Sequence, residues 1–141
     1  MVNQIVVNAI IQADLKTVWK KYTNPADIMQ WNFADPSWYC PVAMNDMKVG
    51  GIYMARMEAK DGSFGFNFEA KYTHIEPEKQ FTYEFGGRNC TVHFESKDRD
   101  TEVTISFDPE DENPLELQQN GWQMILNNFK SFAESSKNNN D

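Results

Sequence analysis

The chain has 141 residues, 40% of them apolar and 13% aromatic, and a formal net charge of −8; a single globular domain of this size buries roughly two-thirds of its unfolded surface. The acidic balance, with no stripe of Lys or Arg, excludes a phosphate-tracking nucleic-acid surface and a face attracted to anionic lipid, so neither nucleic acid nor membrane is an expected partner. Residues 1–4 show no basic segment ahead of an apolar core, the apolar cluster at 5–11 is too short to span a bilayer, and Cys40 and Cys90 stand alone; together these read as a reduced, cytoplasmic protein.

Residues 2–11 are apolar and β-branched, and read as a strand buried on at least one face. Asp14 is placed to cap a short helix carrying Val18, Trp19 and Tyr22 along one side. Asn24-Pro25 then restarts the chain, with Asn24 as cap, Pro25 at the first helical position and Asp27 in the first turn. This second short helix presents Ile28 and Trp31. Two brief helices in succession form a lid or wedge against a larger sheet.

From Asp35 the texture changes. Residues 37–45 read as a loosely patterned strand, Gly50-Gly51 as a turn, 52–60 as a strand and Asp61-Gly62 as a hairpin turn. If Lys60 faces Ser63, the pairs Met57–Phe66, Ala55–Phe68 and Tyr53–Ala70 all fall on one side, with small residues opposite large ones in two of them. Gly86-Gly87 as the next turn sets Tyr83 against Cys90 and Phe81 against Val92. Asp98-Arg99 as a turn sets Phe94 against Val103, Val92 against Ile105 and Cys90 against Phe107. The opposite faces carry Thr82, Glu84, Thr91, His93, Glu95, Glu102 and Thr104, which predicts an antiparallel meander with one dry and one wet face. Glu95 opposite Glu102 is a like-charge conflict, and Arg56 with Glu69 is read as an outward, solvated pair.

The last element opens at Asn113-Pro114-Leu115-Glu116, a capping-box pattern with proline at the first position. Over residues 114–134, Leu115, Trp122, Ile125, Leu126, Phe129, Phe132 and Ala133 recur at helical spacing. Gly121 interrupts this helix at a cost of about 1 kcal/mol relative to alanine. A close approach of helix and sheet, or room left for a ligand, would explain it. Residues 1–134 then make one domain, and 135–141 a polar tail expected to fray.

The dry face of the meander carries Met57, Phe64, Phe66, Phe68, Tyr72, Phe81, Tyr83, Val92, Phe94, Val103, Ile105 and Phe107, yet only one long helix follows to cover it. A curved sheet with this much inward bulk, closed by a single helix, tends to leave an apolar pocket between the two.

The predicted order is a strand, two short helices, about six antiparallel strands and a long C-terminal helix. It is an α+β arrangement that resembles the helix-grip fold of the START-like, or SRPBCC, superfamily. Val18-Trp19, Trp31, Asp46-Met47-Lys48-Val49-Gly50-Gly51, Ile75-Glu76-Pro77-Glu78, Thr101-Glu102-Val103-Thr104 and Gly121-Trp122 are similar to signposts of one branch, that of the activator of the heat-shock protein 90 ATPase. The resemblance runs over nearly the whole chain and rests on the order of the motifs. It implies a curved antiparallel sheet of six to seven strands wrapped around the C-terminal helix. Relatives often carry glycine where this chain has Ala70. The eukaryotic activators also have a separate chaperone-binding domain for which 141 residues leave no space, so the family name is not carried over as the function.

Catalytic motifs are absent: there is no GxSxG, HExxH, P-loop or GxGxxG. His93 falls on the wet face, and one inward histidine, His74, does not make a metal site. Cys90, among apolar residues, reads as an inert core thiol. No catalytic residue, metal ligand or cofactor is therefore assigned. Inward aromatic residues are more often plain core than ligand contacts. Here Ala55, Ala70 and Gly121 thin the packing, while Tyr72, Tyr83 and Trp122 bring polar tips. The candidate ligand contacts are Met57, Phe66, Phe68, Tyr72 and Tyr83 from the sheet, Trp122, Ile125 and Phe129 from the helix, and Trp31, Phe33 and Trp38 at the expected entrance. The expected function is binding of a small hydrophobic or aromatic molecule. Two alternatives come with the resemblance: a co-chaperone-like protein with a chaperone as partner, and a polyketide cyclase-like enzyme working through His74 or Tyr83.

Overall fold

The computed structural model describes residues 3–138. Among them the chain forms β1 (Ile5–Ile11), α1 (Leu15–Thr23), α2 (Pro25–Trp31), β2 (Trp38–Asn45), β3 (Ile52–Ala59), β4 (Gly65–Glu76), β5 (Gln80–Phe85), β6 (Arg88–Lys97), β7 (Asp100–Phe107) and α3 (Leu115–Asn138). The strands make one antiparallel sheet in the order β1-β7-β6-β5-β4-β3-β2. α3 packs on its inner face, with α1 and α2 wedged beside it. This is the helix-grip arrangement.

Each of the three hairpin registers read from the sequence is observed. Met57, Ala55 and Tyr53 oppose Phe66, Phe68 and Ala70; Tyr83 and Phe81 oppose Cys90 and Val92; Phe94, Val92 and Cys90 oppose Val103, Ile105 and Phe107. A slip of one residue would turn every one of these rings to water, which is why so bulky a face specifies its own pairing. Glu95 does oppose Glu102, and Lys97 relieves the conflict by reaching both carboxylates, at 3.6 and 3.7 Å.

Several local readings are corrected. β4 is irregular between Tyr72 and His74, so His74 pairs with Thr82 and stands on the outer, exposed face, bonded to Glu76 at 3.0 Å. A bulge adds one residue to one strand and reverses the alternation beyond it, and His74 is therefore not an inward group. Phe64 lies in the β3–β4 turn and is 61% exposed rather than core. Arg56 pairs with Glu58, at 3.0 Å, not with Glu69. The capping box does not form: Gln118 donates to the Asn113 carbonyl, and the Glu110 carboxylate accepts the Glu112 and Asn113 N–H groups. α3 also continues to Asn138, past the predicted end at residue 134. The rest of the tail expected at 135–141 lies outside the described residues.

α3 closes the sheet unevenly. From its midpoint onward, Leu126, Phe129 and Ala133 are fully buried. Phe129 meets the rings of Tyr22 and Trp31 edge-on, each at 5.0 Å, and Asn128 donates to the Trp31 carbonyl. In its first half Leu115 and Leu117 are each 58% exposed.

The sheet's two edges are guarded differently. Along β1 the helix supplies side chains where another strand would pair: Gln119 donates to the Val6 carbonyl, Gln123 to the Asn8 carbonyl, Lys130 to the Ile10 carbonyl, and Glu134 accepts the Gln12 N–H. β2 carries Pro41 and an irregularity between Tyr39 and Val42, devices that discourage a further strand.

Candidate functional site

In the first half of α3 the helix touches the sheet through Trp122 on Phe107 and through Gln119 and Gln123 along β1, and beside these contacts the gap is hollow. An inner chamber of about 240 Å³ lies between the sheet, the wedge and the helix. An outer chamber of about 350 Å³ opens beside the α2–β2 loop and the start of α3. The two share Met57, Phe66, Trp122 and Ile125 as lining, so they adjoin as one cavity with a vestibule.

The walls follow from the pleat and the helical stripe. Alternate residues of β3 to β5 supply Met57, Phe66, Phe68, Tyr83 and Phe85, and α3 supplies Trp122 and Ile125 at i and i+3. Gly121 lines the vestibule. A Cβ built there would find nothing within 4 Å, so close approach of helix and sheet does not account for this glycine. The remaining explanation is space. Trp122 itself is held flat against Phe107, with ring centres 4.1 Å apart and planes at 15°.

Polar groups punctuate the inner wall. The Asn32 amide, buried at the end of α2, donates to the Tyr53 hydroxyl at 2.8 Å. Tyr83 stands directly opposite Cys90 in the β5–β6 pairing. Tyr22, from α1, also lines the chamber. Burial pushes the phenols of Tyr22, Tyr53 and Tyr83 well above their ordinary range. They are hydrogen-bond donors at any ordinary pH, not bases. Burial likewise pushes the Cys90 thiol up, in keeping with an inert core residue. Among the described residues, the lining of the two chambers includes no carboxylate, imidazole or thiol. What this surface can do is enclose an apolar body and donate hydrogen bonds to it.

Of the residues singled out from the sequence, Trp31, Phe68 and Tyr83 line the inner chamber, Phe33 and Trp38 the outer, and Met57, Phe66, Trp122 and Ile125 both. Tyr72 and Phe129 do not line either. The Tyr72 hydroxyl is spent on Asn45, at 2.6 Å, whose amide in turn donates to the Thr23 carbonyl, so it ties the sheet to the wedge. Phe129 belongs to the solidly packed half of α3.

The sequence reading missed Tyr22, Asn32, Phe85 and Arg88. For Arg88 a signal existed. It occupies the same parity as Cys90, Val92 and Phe94, so the register that made those residues inward made the arginine inward too.

The model of the family described as Activator of Hsp90 ATPase homolog 1-like protein matches residues 12–134. The chain belongs to this family. Among solved structures it is similar to the AHSA1-like protein from Aeromonas hydrophila, with 35% identity over 95% of this chain and 94% of that one and a TM-score of 0.90. It is also similar to Chr148 from Cytophaga hutchinsonii, with 42% identity over 96% and 95% of the two chains and a TM-score of 0.81. Protein NE0264 from Nitrosomonas europaea, at 14% identity, 96% coverage of both chains and a TM-score of 0.82, shares the fold alone. No curated protein matches the chain. Within the AHSA1-like family the START-like architecture is thus shared with relatives of nearly equal length. Among the described residues, no helix is long and apolar enough to cross a membrane.

Proposed function

We propose that this AHSA1-like domain binds a small hydrophobic or aromatic molecule in the two-chambered cavity under the first half of α3. The observation that carries this reading is Gly121, a costly residue inside a long helix whose missing side chain leaves the vestibule open. A ligand that brings ~300 Å² of apolar surface out of water gains roughly 7 kcal/mol before the costs of association, enough to support binding by a weakly polar pocket. The phenol and amide donors of the inner wall then orient it.

N-phenyl-1-naphthylamine, a neutral dye that fluoresces on leaving water, tests the proposal. The native protein is expected to bind it saturably. Gly121→Phe, which fills the vestibule, should weaken binding at least about tenfold, since a ring placed there removes contacts worth more than 1.4 kcal/mol. Gly121→Ala should instead raise the urea stability by about 1 kcal/mol, because alanine is the better helix former and meets no neighbour. Dye binding that is absent, or that survives Gly121→Phe unchanged, would refute the cavity as the site.

A second reading, of an interaction protein with a chaperone as partner, draws on a different feature. Phe64 and Phe66, 61% and 41% exposed, form an aromatic rim with Trp38 at ring distances of 6.0 and 6.1 Å. Retention of the protein on an immobilised chaperone of the heat-shock protein 90 class, and its loss in Phe64→Ser, would favour that reading.

A further inference from the structure

The inner chamber has one charged lining residue among those described, and it is a cation in a strongly acidic chain. Arg88 opens β6 beside the Gly86-Gly87 turn, half-buried, with its guanidinium carbon 4.7 Å over the ring of Phe85. Its one hydrogen bond among the described residues is a long contact of 3.4 Å from Nη1 to the Asp108 carbonyl. No carboxylate among the described residues comes within ion-pair distance of it. Glu110 lies beyond that distance but still feels the Arg88 charge, and both nearby acids hold other groups. The Asp108 carboxylate accepts the Asn89 N–H at 2.8 Å and the Gln4 amide at 3.2 Å, and that of Glu110 accepts the N–H groups of Glu112 and Asn113.

A guanidinium presents five N–H donors in a planar fork, and removing it from water without an anion is unfavourable. A lysine-free, carboxylate-free chamber wall with a single arginine, which has no described carboxylate within ion-pair distance, fits a site that receives its anion from outside. We infer that the molecule bound in this cavity is an amphiphilic acid: a compact aromatic or aliphatic body with one anionic head, its carboxylate class paired to Arg88 in the forked geometry that arginine favours. The body lies against Met57, Phe68 and Trp122. This inference rests on the cavity reading above and adds the chemical class of the ligand.

Two dyes of one skeleton separate the ideas. 1-Anilinonaphthalene-8-sulfonate carries an anion that N-phenyl-1-naphthylamine lacks. In the native protein the anionic dye is expected to bind about tenfold more tightly than the neutral one, the increment typical of a charge-assisted contact. Arg88→Met should bring that ratio close to one and Arg88→Lys should restore part of it. Arg99→Met, an exposed charge in the β6–β7 turn, should leave the ratio as in the native protein. A native ratio near one, or a ratio that survives Arg88→Met, overturns the acid-recognition inference while leaving the cavity reading in place. Failure of both dyes to bind, or retention of both by Gly121→Phe, overturns the cavity reading and this inference with it. If Arg88 serves only to tether the Asp108 carbonyl, Arg88→Met will lower stability and weaken both dyes alike, again with no change in the ratio.

Discussion

Phe129→Ala is expected to cost about 3–5 kcal/mol of folding free energy, the range for emptying a buried phenylalanine site. The residue is fully buried, and its ring is the point where α3, α1 and α2 converge through Tyr22 and Trp31. Those neighbours are themselves fixed. The Trp31 indole N–H donates to the Lys21 carbonyl, and Tyr22 also packs on Phe94 at 5.5 Å. The void therefore cannot collapse cheaply. Phe66→Ala is the informative contrast. That ring is 41% exposed and lines both chambers, so its loss should cost no more than about 1 kcal/mol while weakening dye capture. Urea unfolding followed by tryptophan fluorescence measures both. Equal costs for the two variants would mean that the first half of α3 is packed as firmly as the second.

The doubly substituted Gln119→Leu/Gln123→Leu protein should lose about 1–3 kcal/mol and begin to self-associate. The two amides donate to the Val6 and Asn8 carbonyls at 3.2 and 3.1 Å, and Gln123 also accepts the Asn8 N–H at 3.5 Å. Each of the two donated bonds is worth about 0.5–1.5 kcal/mol net, and the 3.5 Å contact adds little. Leucine preserves helix propensity, so the loss reports the edge and not the helix. With those bonds gone, β1 offers unpaired backbone groups flanked by Val6 and Ile10, 48% and 41% exposed, which is a template for a second chain. Sedimentation velocity should show a concentration-dependent larger species. A strictly unchanged sedimentation profile with unchanged stability would show that the amide contacts do not protect the edge.

The dry face of the meander was legible because its residues are large and its period is two. Tyr83, Cys90 and Phe107 fall into line only in one register. His74 was misread for the complementary reason: the irregularity after Tyr72 adds a residue without any composition that announces it, and alternation counted through it arrives on the wrong face. That the interior would be hollow followed from comparing inward bulk with one covering helix, but where the hollow lies did not. Its position depends on which half of α3 the wedge grips, and helical spacing is the same in both halves. Tyr72 and Phe129 were placed in the site for that reason. They belong to the gripped half, where Asn45 and Trp31 already occupy them. Asn32 and Tyr22 escaped notice because wedge residues reach the chamber only through tertiary packing. The guards along β1 were equally hidden, since a glutamine on a helix gives no sign that it will stand in for a strand.

The uneven grip of α3 separates two kinds of selective pressure. Residues around Phe129 hold the molecule together and tolerate little change. Those such as Leu117 and Phe66, which flank the shared Gly121-Trp122, contribute little to folding, so they are free to vary in size and polarity at small thermodynamic penalty. Relatives built on this scaffold are therefore expected to diverge first at the open end of the helix, each acquiring its own chemical preference while the closed end stays constant.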